Sequence, residues 1–297
     1  RLAMAQVYRV RREKGAAVLD VVVVVAGGEA EAAKAAKAGL RAGYDALLAR
    51  HVRGVGRVRQ RVGVSVDADV LARQGLEFGL MHLEMALCKD NPAVSVPIKG
   101  LTGEGYRFMV FWDTDFHLFP FYLLTNPKQA RNLILYRHKI LDAARANAKR
   151  HGYRGAQVPW ETGTTGEEET APWLNLQERE LHMSADVAYA IKQYDDLADD
   201  PGMLVDCGAE IVFETARFYA SRAVLNEGAD RYELRDIGCP DQYHTFADNN
   251  VFISRMAKWN LAYAAELATD KRLKKVREKI GLSDREAAAF RTITKKF

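Results

Sequence analysis

From Asp67 onward, most of the strongly patterned stretches in this sequence have helical spacing, and three long loops separate them at 89–111, 151–183 and 228–248. Leu71, Phe78, Met81, Leu83, Met85 and Leu87 lay a broad apolar stripe along 68–88. Further helices are predicted over 127–150 with a break, and over 184–198, 207–224, 249–268, 272–279 and 284–295. Asn126-Pro127-Lys128-Gln129 has the marks of a helix start, with Asn126 to cap, Pro127 in the first turn and Gln129 closing the box. Ser283 followed by Glu286 marks another. Loops beyond about 12–15 residues are uncommon unless they are functional or disordered. These three hold tryptophan, proline and paired charges, which suits function better than simple linkage. Paired helices joined by elaborated loops predict a mainly α fold: an (α/α) barrel or toroid with its site at the loop face. A helical repeat scaffold is the alternative, although no short solenoid period is visible.

The first quarter of the chain has a different pattern. Gln6–Arg12 alternates, Glu13-Lys14-Gly15 suits a turn, and Val18–Val25 is β-branched, so residues 1–26 are predicted to pair as strands. Two strands alone are marginal, and five consecutive valines are an aggregation hazard unless covered. Gly27-Gly28 ends this region; 29–51 has helical composition, and 53–66 alternates arginine with valine as a strand or a loop. The expected organisation is a β remnant at 1–26, a linker helix and connection at 27–66, and a barrel domain at 67–297.

A chain of 297 residues can bury roughly 75% of its extended surface without a disulfide or metal staple. Hydrophobic residues at 48% and charged residues at 28% exclude disorder over most of its length. The longest apolar run, about Val21–Ala26, is far too short to cross a bilayer, and nothing at the amino terminus resembles a signal peptide. Cys88, Cys207 and Cys239 are odd in number and widely spaced, without a CxxC or HExxH pair, so buried free thiols in a reducing, cytoplasmic setting are expected and no metal. The net charge of +4 hides a division: residues 1–66 carry 13 basic and 5 acidic side chains, 271–297 carry 10 and 3, and 67–270 carry 20 and 31. A nucleic-acid binder concentrates basic charge beside its aromatics. Here the aromatic-rich centre is acidic, which points to a neutral small molecule and away from nucleic acid or membrane.

Three clusters could carry chemistry. In the first, Gly103-Glu104-Gly105-Tyr106 precedes Phe111-Trp112-Asp113-Thr114-Asp115. A tryptophan can cover the apolar face of a pyranose while the adjacent carboxylate accepts hydrogen bonds from its hydroxyls; the competing reading is a buried tryptophan with an Asp capping a helix. Pro159-Trp160-Glu161-Thr162 repeats the pairing, with Thr165-Gly166-Glu167-Glu168-Glu169 behind it, where Glu169 suits a solvated turn. The third runs from Gly238-Cys239-Pro240-Asp241-Gln242-Tyr243-His244 to Asp248-Asn249-Asn250. Asp241 or His244 could move a proton there, and His244 with Asp248 could equally just fix the loop. His182 and Asp186 stand i, i+4, a spacing that would share a helix face but lacks a third metal ligand.

Nucleotide readings fail on spacing. Gly54-Val55-Gly56 has Arg59 where the dinucleotide fingerprint needs its third glycine, and 163–168 lacks the Lys-Ser/Thr ending of a phosphate loop. No serine nucleophile elbow is present.

Taken in order, GLTGEGY at 100–106, FWDTD at 111–115, RHGYRGAQVPWE at 150–161, TGEEE at 165–169, the stretch Met183–Tyr194, FETARF at 213–218, PDQYH at 240–244, and DNN with MAKWNL over 248–261 resemble glycoside hydrolase family 65. That family includes maltose, trehalose and kojibiose phosphorylases and some α-glucosidases, and the resemblance covers about residues 67–295. It implies an (α/α)6 barrel preceded by a β-sandwich, so residues 1–26 correspond to a sandwich remnant or linker. The chain stops where that barrel would still add hairpins, and a partial barrel is expected. The implied chemistry is inversion at an α-glucosidic bond: a carboxylic acid protonates the leaving oxygen while phosphate, as co-substrate, or activated water attacks from the opposite face. No other cofactor is implied, and family members are often homodimers. The resemblance assigns substrate contact to Trp112, Asp113, Trp160 and Glu161, with Tyr243 and His244 beside the acid position. The family's acidic glutamate is replaced here by Gln242. A carboxamide has no transferable proton near neutral pH, so the expected protein is an α-glucoside phosphorylase or hydrolase impaired as it stands. A silent sugar-binding or structural scaffold is the alternative.

Overall fold

Residues 3–26 form the predicted strand pair, β1 (Ala3–Glu13) and β2 (Ala16–Ala26), antiparallel in register from Ala3↔Ala26 to Glu13↔Ala16. The hairpin closes through Lys14 (φ 48°) and Gly15 (φ 85°). Two consecutive left-handed residues give the turn whose twist matches that of the flanking strands. Asp20 accepts hydrogen bonds from Arg9 (3.0 Å) and Arg11 (3.1 Å) across the ladder. Helix α1 (Glu29–Ala42) packs on one face, where Ala32 and Ala36 are fully buried. Small residues bring it close: a Cβ on Gly39 would stand 3.1 Å from Val22 Cγ1. The opposite face, with Tyr8, Val10, Leu19, Val21, Val23 and Val25, is exposed.

The computed structural model describes residues 2–88, 91–101, 103–238, 240–241 and 246–297. The chain divides into two bodies, 1–81 and 82–297. One expectation fails in the first. The helix predicted over 29–51 breaks at Gly43 (φ 80°), and α2 (Tyr44–Val62) runs through the stretch expected to be strand or loop. An alternating pattern makes a strand only where a partner ladder exists, and long-stemmed arginine is a good helix former. Helix α3 (Val70–Ala86) straddles the division and contains the predicted stripe as far as Met85, but Leu71, Phe78 and Met85 are exposed, so the stripe does not face a core as expected.

The second body is the helical one. A π-helical turn at Asp113–Leu118 leads into α4 (Phe119–Thr125), a helix not among those predicted from the sequence. The predicted break falls at Ile140, between α5 (Pro127–Lys139) and α6 (Leu141–Arg150). Then come α7 (Met183–Leu197), a second π-helical turn (Leu204–Gly208), α8 (Ala209–Arg222), a small hairpin of β3 (Val224–Asn226) and β4 (Arg231–Glu233), and α9 (Val251–Leu267). Helices α10 (Lys274–Lys279) and α11 (Asp284–Lys296) finish the chain. Helix α7 packs on α4, α5, α8 and α9, and α9 on α8 and α11, the packing of an α/α-barrel portion. Met183 through Ala188 on α7 and Ala209 through Ala216 on α8 are buried without interruption. Helices enclosed on all sides show no amphipathic stripe, and each fully buried large side chain contributes about 1.5–3 kcal/mol.

Asn250 and Ser283 cap α9 and α11 through their side chains (3.1 and 3.2 Å). Asn126 does not: its side chain makes no cap bond, and its carbonyl accepts from Gln129 N (2.8 Å) instead. Of the expected buried thiols, Cys207 is buried, and desolvation pushes it up to about 11; Cys88 is exposed, and Cys239 lies outside the described residues.

Glu210 ties three segments together, accepting from Arg145 (2.8 Å), Lys279 (2.6 Å) and His138 (3.1 Å). Burial alone would push its carboxyl up, but these partners outweigh that and hold it at about 2, below its ordinary 4.5. A depressed carboxyl stabilises the fold fully above its unfolded value and loses that contribution as pH falls through its folded one. Stability should therefore fall between about pH 4.5 and about pH 2, and Glu210→Gln should flatten that slope. Circular dichroism through an acid titration of both proteins would check it; parallel curves would show that Glu210 plays no such part.

Candidate functional site: a double tryptophan–carboxylate cluster

Backbone pairing brings the first two motifs together. Val110 and Thr162 form an antiparallel bridge, each N–H donating to the other's carbonyl at 3.0 Å. Phe111 and Trp160 consequently meet edge to face at 5.7 Å. Below them, Arg137 on α5 joins both segments, donating to Asp115 Oδ1 (3.1 Å) and to Thr162 Oγ1 (3.0 Å). Asp115 is therefore a structural counterion, while Asp113, two residues earlier in the same π-helical turn, is not. Asp113 is half-buried and makes no hydrogen bond or ion pair with a described residue, and Trp112 beside it is also half-buried.

The TGEEE stretch is a clamp. Glu168 accepts from Trp160 N (2.8 Å), Glu161 N (3.2 Å), Thr170 N (3.1 Å) and Thr170 Oγ1 (2.6 Å). Gly166 is left-handed (φ 88°), and a Cβ there would lie 2.5 Å from Ile140 Cβ, so only glycine fits. Glu169 is exposed and faces Arg107 (3.7 Å), which agrees with a solvated turn. With its backbone held, Glu161 is left with a half-buried carboxyl that no described side chain binds. Burial, followed by the charge of Glu168, raises its pKa. Trp160 itself is 7% exposed and part of the core, so it forms the floor of the cluster.

The third motif is anchored beside the other two. Ile237 and Ala247 bridge at its base, Asp248 accepts from Asp236 N (2.8 Å), and Gly238 N donates to Arg179 O (2.8 Å). Asp248 thus fixes the loop. A Cβ on Gly238 would fall 2.7 Å from Glu180 Cδ, so the loop packs directly on that side chain. Gln242, Tyr243 and His244 lie outside the described residues, and Asp241 is exposed.

The sequence reading missed the hub of this arrangement. His182, whose i, i+4 spacing to Asp186 suits a metal pair only weakly, is fully buried, and its Nδ1 is hydrogen-bonded to Asp186 Oδ2 at 2.6 Å. Its ring meets Trp112 at 4.7 Å, Trp160 at 5.4 Å and Phe252 of α9 at 5.5 Å. Burial raises the Asp186 pKa, with the His182 hydrogen bond opposing it. Among the described residues, no group of three His, Cys, Asp or Glu side chains could hold a metal ion. No described helix is long and apolar enough to cross a membrane.

The helical packing is that of an α/α-barrel portion, with two tryptophan–carboxylate pairs brought onto one cluster. Residues 77–297 match the glycosyl hydrolase family 65 central catalytic domain, and the chain belongs to that family. A kojibiose phosphorylase of Thermoanaerobacter brockii is 38% identical over 235 residues, covering 76% of this chain and 30% of that protein. A 1,2-alpha-glucosylglycerol phosphorylase of Bacillus selenitireducens is 36% identical over 243 residues, covering 77% of this chain and 32% of that one. A solved structure assigned as a kojibiose phosphorylase, from the human microbiome, superposes with a TM-score of 0.84, covering 99% of this chain and 45% of its own. At 23% identity that likeness speaks for the fold alone. The chain spans about a third of the length of the curated relatives it matches.

Proposed function

We propose that this chain carries the sugar-binding and acid-bearing loops of an inverting α-glucoside phosphorylase acting on α-linked glucose disaccharides. The observation that carries the reading is the convergence of Trp112–Asp113 and Trp160–Glu161 on one cluster, with two half-buried carboxylates left unbound by the described residues. Buried polar groups normally find partners, and sugar hydroxyls are the donors such carboxylates suit. The Trp112 ring would cover the apolar face of the non-reducing glucose while Asp113 and Glu161 accept from its hydroxyls. The related proteins compared above are phosphorylases by name, which favours phosphate over water as the attacking group. The acid position holds Gln242, so turnover by the chain as it stands is expected to be slight. The residue types at Cys88 and Cys207 suit a cytoplasmic setting.

Hydrogen bonds to a charged group are worth about 1.5–3 kcal/mol, so Asp113→Asn should weaken the binding of glucose or kojibiose by about 10- to 150-fold without lowering the unfolding temperature. Calorimetric titration of both proteins would read this. Undiminished affinity in the variant would remove Asp113 from the site. Gln242 also sustains a second reading, a sugar binder without turnover; it predicts the same titration result and no gain from Gln242→Glu.

A further inference from the structure

His182 cannot touch a ligand, since it is fully buried. Three aromatic rings nevertheless meet it nearly edge to face, at 82° for Trp112, 71° for Trp160 and 74° for Phe252. Trp112 comes from the segment before α4, Trp160 from the loop before α7, and Phe252 from α9, so three separate stretches of chain converge on one imidazole. A ring of this kind is held in one orientation only if something stops it turning about its side-chain axis. Asp186, one helical turn further along α7, does so through the 2.6 Å bond to Nδ1. On its other side, Nε2 makes no hydrogen bond with a described residue and stands 3.6 Å from Glu180 Oε2. Glu180 is the side chain on which Gly238 is packed.

We propose that His182 is the positioning residue of the sugar cluster: its imidazole, fixed by Asp186, is the spacer that sets Trp112 and Trp160 relative to each other. The spacer role stands on ring geometry, and its consequence for sugar affinity rests on the functional reading above. A T-shaped aromatic pair is worth about 0.5–1.5 kcal/mol beyond area burial, and one ring here makes three such contacts. Trp112 also meets His117 (4.6 Å), Phe116 (5.6 Å) and Phe252 (6.3 Å), so without His182 it should not come loose but settle into the vacated space, shifting the backbone that carries Asp113.

The test labels the protein with 5-fluorotryptophan, whose four fluorine resonances report Trp112, Trp160, Trp173 and Trp259 separately. His182→Asn keeps a donor for Asp186 but removes the ring. It should move the Trp112 and Trp160 lines, leave Trp173 and Trp259 in place, and weaken glucose binding about tenfold, the equivalent of one lost aromatic contact. His182→Phe restores a ring of similar thickness, and should return both lines close to their original positions and recover most of the affinity. A folded His182→Asn protein with unmoved lines would overturn the proposal. So would a folded His182→Phe protein whose Trp112 and Trp160 lines are displaced from their positions in the unaltered protein, a comparison that decides the matter even where His182→Asn does not fold. If the unaltered protein binds no sugar, the functional reading falls, and the fluorine lines still decide whether His182 is the spacer.

Discussion

Gln242→Glu should raise phosphorolysis of an α-linked glucose disaccharide by about 10²–10⁴-fold, the usual worth of general acid catalysis. The bond to be broken joins the anomeric carbon to the oxygen of the second sugar, which is a poor leaving group until it is protonated. A glutamic acid gives that oxygen its proton as the bond breaks, while a phosphate oxygen attacks the anomeric carbon from the opposite face. On the proposed reading the products would be β-glucose 1-phosphate and the released sugar. Gln242 keeps the size and the hydrogen-bonding pattern of that acid, so ground-state binding should change little between the two proteins. The change should therefore appear in kcat rather than in the affinity for disaccharide. Glucose 1-phosphate release from kojibiose, trehalose and maltose, with and without phosphate, would measure it. Equal rates in two folded proteins that both bind glucose would mean that the chain serves as a binder.

The parts of this molecule that were legible in the sequence are those governed by local chemistry. The hairpin turn at Lys14-Gly15, a break within 127–150 and the Ser283 cap each depend on a few neighbouring residues, and each appears in the structure. The Arg-Val stretch misled because alternation describes a strand only when a partner strand exists, and α2 has none. The tryptophan–carboxylate motifs were visible as pairs, but their meeting was not, because it depends on one bridge between Val110 and Thr162 across 52 residues of chain. The same distance hid the division of labour among the acidic residues. In composition Asp113 and Asp115 are alike, as are Glu161 and Glu168. Only their partners separate the free carboxylates from the structural ones. The nearest local signal for the hub was the i, i+4 spacing of His182 and Asp186, which suits a hydrogen-bonded pair as well as a metal pair.

Asp115→Ala should be the most damaging single change near the site, costing about 3–5 kcal/mol of stability. The Arg137–Asp115 pair is almost wholly enclosed, with side-chain exposures of 2% and 4%. Burial opposes the charge of Arg137, and Asp115 more than restores it, holding its pKa above the ordinary value. Removing Asp115 leaves a guanidinium in the core with Thr162 Oγ1 as its remaining hydrogen-bond acceptor among the described residues. The size of the loss reflects that stranded charge more than the net worth of the pair, since a well-packed apolar replacement of a buried pair is often neutral or better. The double variant Asp115→Leu, Arg137→Met should accordingly recover most of the stability lost in Asp115→Ala. Its sugar affinity should stay low, because Arg137 is also the side chain that joins the turn bearing Asp113 to Thr162 and hence to Trp160 and Glu161. Urea unfolding midpoints for the three proteins, set beside glucose titrations, separate the two roles. A double variant that regains both stability and affinity would show that the ion pair holds the fold without ordering the site, whereas stability regained alone is the result expected of a pair whose main task is to keep the two tryptophan–carboxylate segments in register.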